Sequence, residues 1–164
     1  MKTVDLTLTY SAQIAGFSSE AAKTVANDGW NASNLHLYSH SGTHMDAPFH
    51  FEVNEQKIDE FPVDRFVSKA WVISIEITQD QQLIEPSDFQ EFEDKIAKGD
   101  SLIIKTGWAQ FLGKEKYRDD LPRFSESSAH WLVEKGINIL AVEPCSVADV
   151  NNLPEVTSIH QILL

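Results

Sequence analysis

The sequence predicts a single α/β domain with a mixed sheet, and three observations lead to this class. Several short segments either alternate apolar and polar residues or are rich in β-branched residues, which is typical of strands. Two longer segments carry apolar residues at helical spacing. Strands alternate with these helices in the second half of the chain, whereas the first half is mostly strand and loop. The 164 residues are enough for one domain with a substantial core.

The first half contains two predicted strands. Residues 3–9 alternate strictly between apolar and polar side chains, which predicts a half-buried strand. Residues 34–39 alternate in the same way and predict a second one. The polar stretch between them contains Gly16 and Gly29 and is interpreted as loop or short irregular helix.

The second half contains three predicted strands and two predicted helices. Residues 69–77 alternate around an apolar face, and residues 101–106 and 137–143 are short, apolar and β-branched, as in buried strands. Residues 86–99 and 125–136 have the helical pattern, each ending in glycine.

The ends of these helices are predicted from capping residues. Ser87 and Gln90 match a capping box, and Ser125 is the candidate N-cap of the next helix, which should stop at Gly136. The last residues predict a short helix that begins near Thr157.

Composition excludes some classes of function and favours others. The formal net charge of −12 argues against nucleic acid or an anionic membrane as partner. No apolar run approaches the ~20 residues of a membrane span, and the first ten residues lack the apolar core of a signal peptide. The single cysteine, Cys145, permits no intrachain disulfide. We therefore expect a cytoplasmic protein.

Half of the six histidines lie in one stretch of eleven residues, "HSGTHMDAPFH". The spacing of His40 and His44 would suit one face of a helix, but Gly42 lies between them and Pro48 follows closely. The stretch is therefore predicted to be a loop that leaves the strand ending near Ser39.

This loop carries the side chains of a candidate metal site. Imidazole nitrogens of His40 and His44 and a carboxylate oxygen of Asp46 suit Zn²⁺, Mn²⁺ or Fe²⁺. Three such ligands leave positions open, as catalytic rather than structural sites do. His50, past the proline, is a candidate to move protons.

The motif resembles the His-x-Gly-Thr-His-x-Asp-x-Pro-x-His signature of the cyclase family of metal-dependent hydrolases, which includes bacterial kynurenine formamidase and isatin hydrolase. The resemblance extends over nearly the whole chain. Further matching segments, in the expected order, are "VDLT", "PFHFEVNEQKIDEFP", "IIKTGW" and "HQILL".

The resemblance implies a fold, a metal centre and an assembly. It implies a swivelling β/β/α domain over residues 1–164 and a homodimer or higher homo-oligomer. It implies zinc or manganese held by His40, His44 and Asp46, with Asp46 bridging where two metals bind. His50 resembles the family's catalytic acid/base and His160 a further ligand for the second metal. Relatives continue beyond "HQILL" to a glutamate that completes the second site, so we expect a C-terminally truncated chain.

The leading hypothesis is hydrolysis of a C–N amide bond in an aryl formamide or a cyclic amide. Metal-bound hydroxide would attack the carbonyl carbon while His50 moves the proton to the leaving nitrogen. Trp30, Phe49 and Trp108 are candidates to stack on an aromatic substrate. Two alternatives remain open: a metal-binding but catalytically impaired protein or fragment, and a cysteine hydrolase that uses Cys145.

Overall fold

The computed structural model describes residues 3–164, which divide into two compact units. The first unit ends at Asp46 and the second is Ala47–Leu164. The prediction of one cyclase-like domain over residues 1–164 stays a prediction.

The regular structure of the first unit is an antiparallel hairpin. Strand β1 (Phe17–Lys23) pairs with strand β2 (Ala32–Leu37), and the single helical turn α1 (Val25–Asp28) lies between them. Gly29 ends that turn with a φ of 83°, a left-handed conformation in which glycine is unstrained. The hairpin confirms the second predicted strand, which begins two residues earlier than expected.

Two sequence predictions for this unit are wrong. Strand β1 falls in the segment interpreted as loop, because its side chains are almost all exposed and only backbone pairing with β2 makes it a strand. Residues 3–9 form no strand, since no backbone segment within residues 3–164 pairs with them. Two of their backbone amides donate hydrogen bonds to side chains instead. The amide of Leu8 donates to Thr43 Oγ1 at 2.8 Å, and the amide of Thr7 donates to Asp5 Oδ1 at 2.9 Å.

The second unit contains two small parallel sheets and three helices. Its strands are β3 (Ala70–Ser74), β4 (Leu83–Ile84), β5 (Ser101–Lys105), β6 (Arg123–Phe124) and β7 (Leu140–Val142). Its α-helices are α2 (Glu115–Asp119), α3 (Glu126–Lys135) and α4 (Leu153–Leu163). Its 3₁₀ turns are Pro48–Phe51, Ile58–Glu60, Val63–Phe66, Pro86–Phe92 and Trp108–Phe111. The strand order of the larger sheet is β3-β5-β7, and β4 pairs with β6.

The core of the second unit forms where β-branched strand residues meet two helical segments. The residues at its centre are almost fully buried: Ile73, Ile84, Phe89, Leu102, Ile104, Phe124 and Leu132. Phe89 stacks on Trp131 of α3 with ring centroids 5.0 Å apart. Strand β3 buries one face, as its alternation predicted, whereas β5 and β7 are short and largely apolar, so all three strands were predictable from their sequences.

Both ends of helix α3 have the capping residues that the sequence predicts. The Oγ of Ser125 accepts a hydrogen bond from the amide of Ser128, and Gly136 adopts a left-handed φ of 68° after the last turn.

Two other helical boundaries differ from the predictions. The segment predicted as a helix over 86–99 contains the 3₁₀ turn Pro86–Phe92, and its first residues are stabilised by a bond from the Glu85 amide to Asp88 Oδ2 instead of by Ser87 and Gln90. Helix α4 begins at Leu153, well before Thr157, because proline is well accommodated in a first helical turn.

Parallel and antiparallel pairing both occur, in separate sheets, and the predicted mixed α/β class is confirmed. Within residues 3–164, none of the helices is long and apolar enough to cross a lipid bilayer.

Candidate metal centre

The histidine-rich segment forms a loop directly after β2, as predicted. Gly42 turns the loop with a φ of 61°, and a Cβ added there would lie 3.1 Å from the Tyr10 ring. The Tyr10 hydroxyl donates to the carbonyl of Ser41 at 3.1 Å, and Ser41 Oγ donates to the carbonyl of Ala15 at 2.8 Å. The loop is thus held by side chains and carbonyls from the segment that precedes β1.

This loop brings three candidate ligands together. One ligand atom from each of His40, His44 and Asp46 can be chosen so that all lie within 4.8 Å of one another. Asp46 Oδ1 lies 2.9 Å from His40 Nδ1 and 3.6 Å from His44 Nε2. About a quarter of each of the three side chains is exposed to solvent, 24 or 25% in each case. The cluster is therefore both compact and accessible.

A backbone carbonyl fixes the ring of His44. Nδ1 of His44 lies 3.0 Å from the carbonyl oxygen of Gly42. Because a carbonyl oxygen can only accept, Nδ1 carries a proton, and in the neutral ring Nε2 then holds the lone pair. This is the nitrogen that faces Asp46.

The three groups fit a divalent transition metal. Two nitrogens and one carboxylate oxygen are the donors that zinc and manganese accept. Ligand atoms on a tetrahedral ion with bonds of about 2.0–2.1 Å lie about 3.3 Å apart. The observed separations of 2.9 and 3.6 Å lie on either side of that value. These two separations are therefore close to those around a bound ion.

His50 lies in the second unit, on the 3₁₀ turn Pro48–Phe51. Its amide donates to the carbonyl of Ala47 at 2.8 Å. Its exposed ring meets the edge of Phe51 at a centroid distance of 4.5 Å, and the ring of His160 at 6.2 Å. The structure thus brings together the two histidines of this unit that were predicted as site residues.

His160 is buried, with 7% of its surface exposed, in the last turns of α4. Its Nδ1 lies 2.6 Å from the carbonyl oxygen of Val156, one turn earlier. The ring of Phe51 stacks on it with a centroid distance of 4.2 Å and an interplanar angle of 23°. Sequence reasoning identified His160 but missed the Val156 carbonyl, because the predicted helix began near Thr157 and left Val156 outside it.

The three aromatic residues predicted to bind substrate differ in environment. Trp30 of the first unit is 57% exposed. In the second unit, Phe49 is 46% exposed and lies under the ammonium group of Lys57. Trp108 is 3% exposed, and its indole nitrogen donates to the carbonyl of Tyr117 at 2.9 Å. Their binding of substrate stays a prediction, and the environment of Trp108 is that of a core residue.

The sequence is similar to bacterial kynurenine formamidases. The kynurenine formamidase of Bacillus mycoides (strain KBAB4) is 30% identical over 149 residues, which are 89% of this chain and 66% of that protein. The kynurenine formamidase of Bacillus cereus (strain ATCC 14579) is 30% identical over 134 residues, 80% of this chain and 59% of that protein. The chain thus spans less than two thirds of the length of these relatives.

Solved structures share the fold. Isatin hydrolase A from Labrenzia aggregata, bound to benzyl benzoate, superposes with a TM-score of 0.79 at 20% identity, covering 95% of this chain and 69% of that one. Isatin hydrolase A from Ralstonia solanacearum superposes with a TM-score of 0.75 at 20% identity, and the match covers 96% of this chain and 69% of that one. Residues 4–149 match the family model described as "Putative cyclase". The chain therefore belongs to the cyclase family.

Proposed function

We propose that this chain is a metal-dependent hydrolase of C–N amide bonds that binds a divalent ion through His40, His44 and Asp46. The observation that carries the proposal is the convergence of three ligand atoms within 4.8 Å of one another on one loop. The names of the relatives, kynurenine formamidase and isatin hydrolase, support an aryl formamide or a cyclic amide as substrate.

The chain's own groups would perform the following tasks. His44 offers the Nε2 lone pair because Gly42 holds its Nδ1 proton. Asp46 supplies the negative charge and contacts both imidazoles through one oxygen. A bound Zn²⁺ or Mn²⁺ would polarise a carbonyl oxygen and lower the pKa of a coordinated water towards about 7.

Roles for the second unit are also proposed, on the family resemblance. His50 would take a proton from the attacking water and pass it to the leaving nitrogen, for which its exposed position on a short turn is suitable. His160 would serve as a further metal ligand. Trp30, Phe49 and Trp108 are proposed to contact an aromatic substrate, the first two with exposed rings.

The test is hydrolysis by the purified chain after removal of metal with a chelator and reloading with Zn²⁺ or Mn²⁺. We expect turnover of an N-formyl aryl amide or of isatin to depend on added metal. His40→Ala should abolish turnover and metal retention together. His130→Ala is the matched control, because 57% of the His130 side chain is exposed on α3 and its Nε2 lies 3.8 Å from Glu126 Oε1, outside the candidate ligand set. Unchanged turnover in His40→Ala would refute the metal mechanism.

A metal-binding chain without turnover is the second candidate. It is favoured by the placement of all three candidate ligands on one loop of the first unit, where they can bind an ion without any catalytic group. Bound metal without hydrolysis of either substrate would establish it. A cysteine mechanism has less support, since desolvation raises the pKa of the Cys145 thiol and so disfavours the nucleophilic thiolate.

We also propose that the chain assembles as a homodimer or higher homo-oligomer, with a small molecule as its substrate and without nucleic acid or membrane partners. Size-exclusion chromatography with light scattering tests the assembly. A monomer across the micromolar range would contradict it.

A further inference from the structure

Three rings of the second unit form a contiguous cluster. Phe51 stacks almost parallel on His160 at 4.2 Å, and His50 meets Phe51 edge-on at 4.5 Å. Phe51 is half-buried, whereas His160 is 7% exposed. The phenyl ring therefore covers one face of a buried imidazole and contacts the histidine beside it in sequence.

The backbone decides which nitrogen of His160 can bind a metal. The Val156 carbonyl oxygen, 2.6 Å from Nδ1, can only accept a hydrogen bond, so Nδ1 is the donor. The neutral ring is thereby held with its proton on Nδ1 and its lone pair on Nε2. Rotation of the ring about its Cβ–Cγ bond would break this hydrogen bond, and the stacked Phe51 ring opposes that rotation.

Phe51 is itself fixed to the helix that carries His160. The side-chain amide of Gln161 donates to the carbonyl oxygen of Phe51 at 3.2 Å. The turn is closed at its end by Glu52, which has a φ of 53°, and by a bond from the Val53 amide to the Pro48 carbonyl at 3.1 Å. Phe51 thus contacts helix α4 both through its ring and through its backbone carbonyl.

We propose that Phe51 is a positioning residue that holds His160 in the Nδ1–H tautomer, in which Nε2 carries the lone pair that a metal ion would need. The inference rests on the proposed function in one respect, namely that His160 binds metal. Groups that orient a metal-binding histidine typically change metal affinity by about 10–100-fold. Phe51 would act in this way through its ring face and not through a hydrogen bond.

The first test observes the tautomer without any metal or substrate. Long-range ¹H–¹⁵N spectra of the metal-free chain distinguish Nδ1–H from Nε2–H rings, and the signal missing from His160→Gln identifies His160. We expect the Nδ1–H form in the natural sequence and a mixture of both forms in Phe51→Leu. An Nε2–H ring at His160 in the natural sequence would overturn the proposal, and through-bond assignment of that ring in the natural sequence makes this outcome independent of the folding of any variant.

The second test measures metal affinity by competition with a chromophoric chelator. We expect Phe51→Leu to weaken about tenfold the binding of the ion that His160→Gln removes, and Phe51→Tyr to restore it. Phe61→Leu is the matched control, because Phe61 is also half-buried but pairs with Phe66, at 6.2 Å. Equal affinities in Phe51→Leu and Phe61→Leu would overturn the proposal, as would unchanged binding in His160→Gln.

The two tests separate this proposal from the proposed function. A chain that binds no metal but shows the expected tautomers would refute the proposed metal-dependent hydrolysis and the role of His160 as a ligand. The orientation of the His160 ring by Phe51 would still be supported. A chain that binds metal and hydrolyses amides, with one tautomer in both natural sequence and Phe51→Leu, would refute the positioning role alone.

Discussion

Replacing Asp46 by asparagine tests the metal centre with little change in side-chain shape. The substitution removes a negative charge and exchanges one carboxylate oxygen for an amide nitrogen, which donates and cannot accept. Oδ1 of Asp46 is the atom common to both histidine contacts, at 2.9 Å from His40 and 3.6 Å from His44. The variant therefore alters the one group on which both imidazoles converge.

The size of the effect follows from the position of this oxygen. Loss of a group that only orients a ligand costs about 10–100-fold in metal affinity. Asp46 is proposed to be a ligand itself, so its loss should reach at least the upper end of that range. We expect the dissociation constant for Zn²⁺ or Mn²⁺ to rise about 100-fold, which corresponds to about 2.7 kcal/mol.

Competition against a chromophoric chelator measures this constant, and thermal unfolding of the metal-free chains checks that the fold is retained. Asp59→Asn is the control, because it removes the same charge from an exposed residue of the second unit. A dissociation constant for Asp46→Asn within threefold of the control would refute the assignment of Asp46 as a ligand.

Three further predictions concern the scaffold. Phe89→Ala should lower the free energy of unfolding by about 3–5 kcal/mol, measured by urea titration, because the ring is fully buried; a loss below 1 kcal/mol would contradict its place in the core. Ser125→Ala should cost about 1 kcal/mol in the same assay through loss of the N-cap of α3, whereas Ser125→Gly should cost only a few tenths. Hydrogen bonds from the Trp71 indole and from the Ala97 amide hold the pKa of Asp100 below its usual range. Because the unfolded-state pKa is about 3.9, this stabilisation is present above about pH 4 and is lost as the pH falls through the lower folded-state pKa. The free energy of unfolding should therefore fall more in the natural sequence than in Asp100→Asn between about pH 6 and pH 3, and parallel curves would contradict this.

The elements that were predictable from sequence are those whose side chains determine their structure. Strand β5 is nearly continuous in buried apolar residues, and α3 has both its cap and its terminal glycine. Strand β1 shows the opposite case, because its sequence FSSEAAK buries nothing fully and pairs only through the backbone. Residues 3–9 have the alternation of a strand, but no strand in the described part of the chain pairs with them, and local sequence does not indicate whether a partner strand is present.

The candidate site was predictable as a set of side chains but not as a set of orientations. His40, His44 and Asp46 are close in sequence, and glycine and proline indicated that a loop carries them. The tautomers depend on the carbonyls of Gly42 and Val156, and a carbonyl leaves no trace in residue identity. The stacking of Phe51 on His160 joins residues more than one hundred positions apart, which no local pattern indicates.

The loop that carries His40, His44 and Asp46 is attached to residues 3–15, which has a consequence for hydrogen exchange. The Leu8 amide is bound to Thr43 of the loop and the Ser41 amide to Tyr38, in a region with little regular structure. Such regions open at low free-energy cost. An ion that binds only the closed loop would shift this opening equilibrium by mass action, by about 100-fold when its concentration is 100 times the dissociation constant. Slowed exchange at these two amides would then report metal binding on its own, in a chain with no detectable turnover.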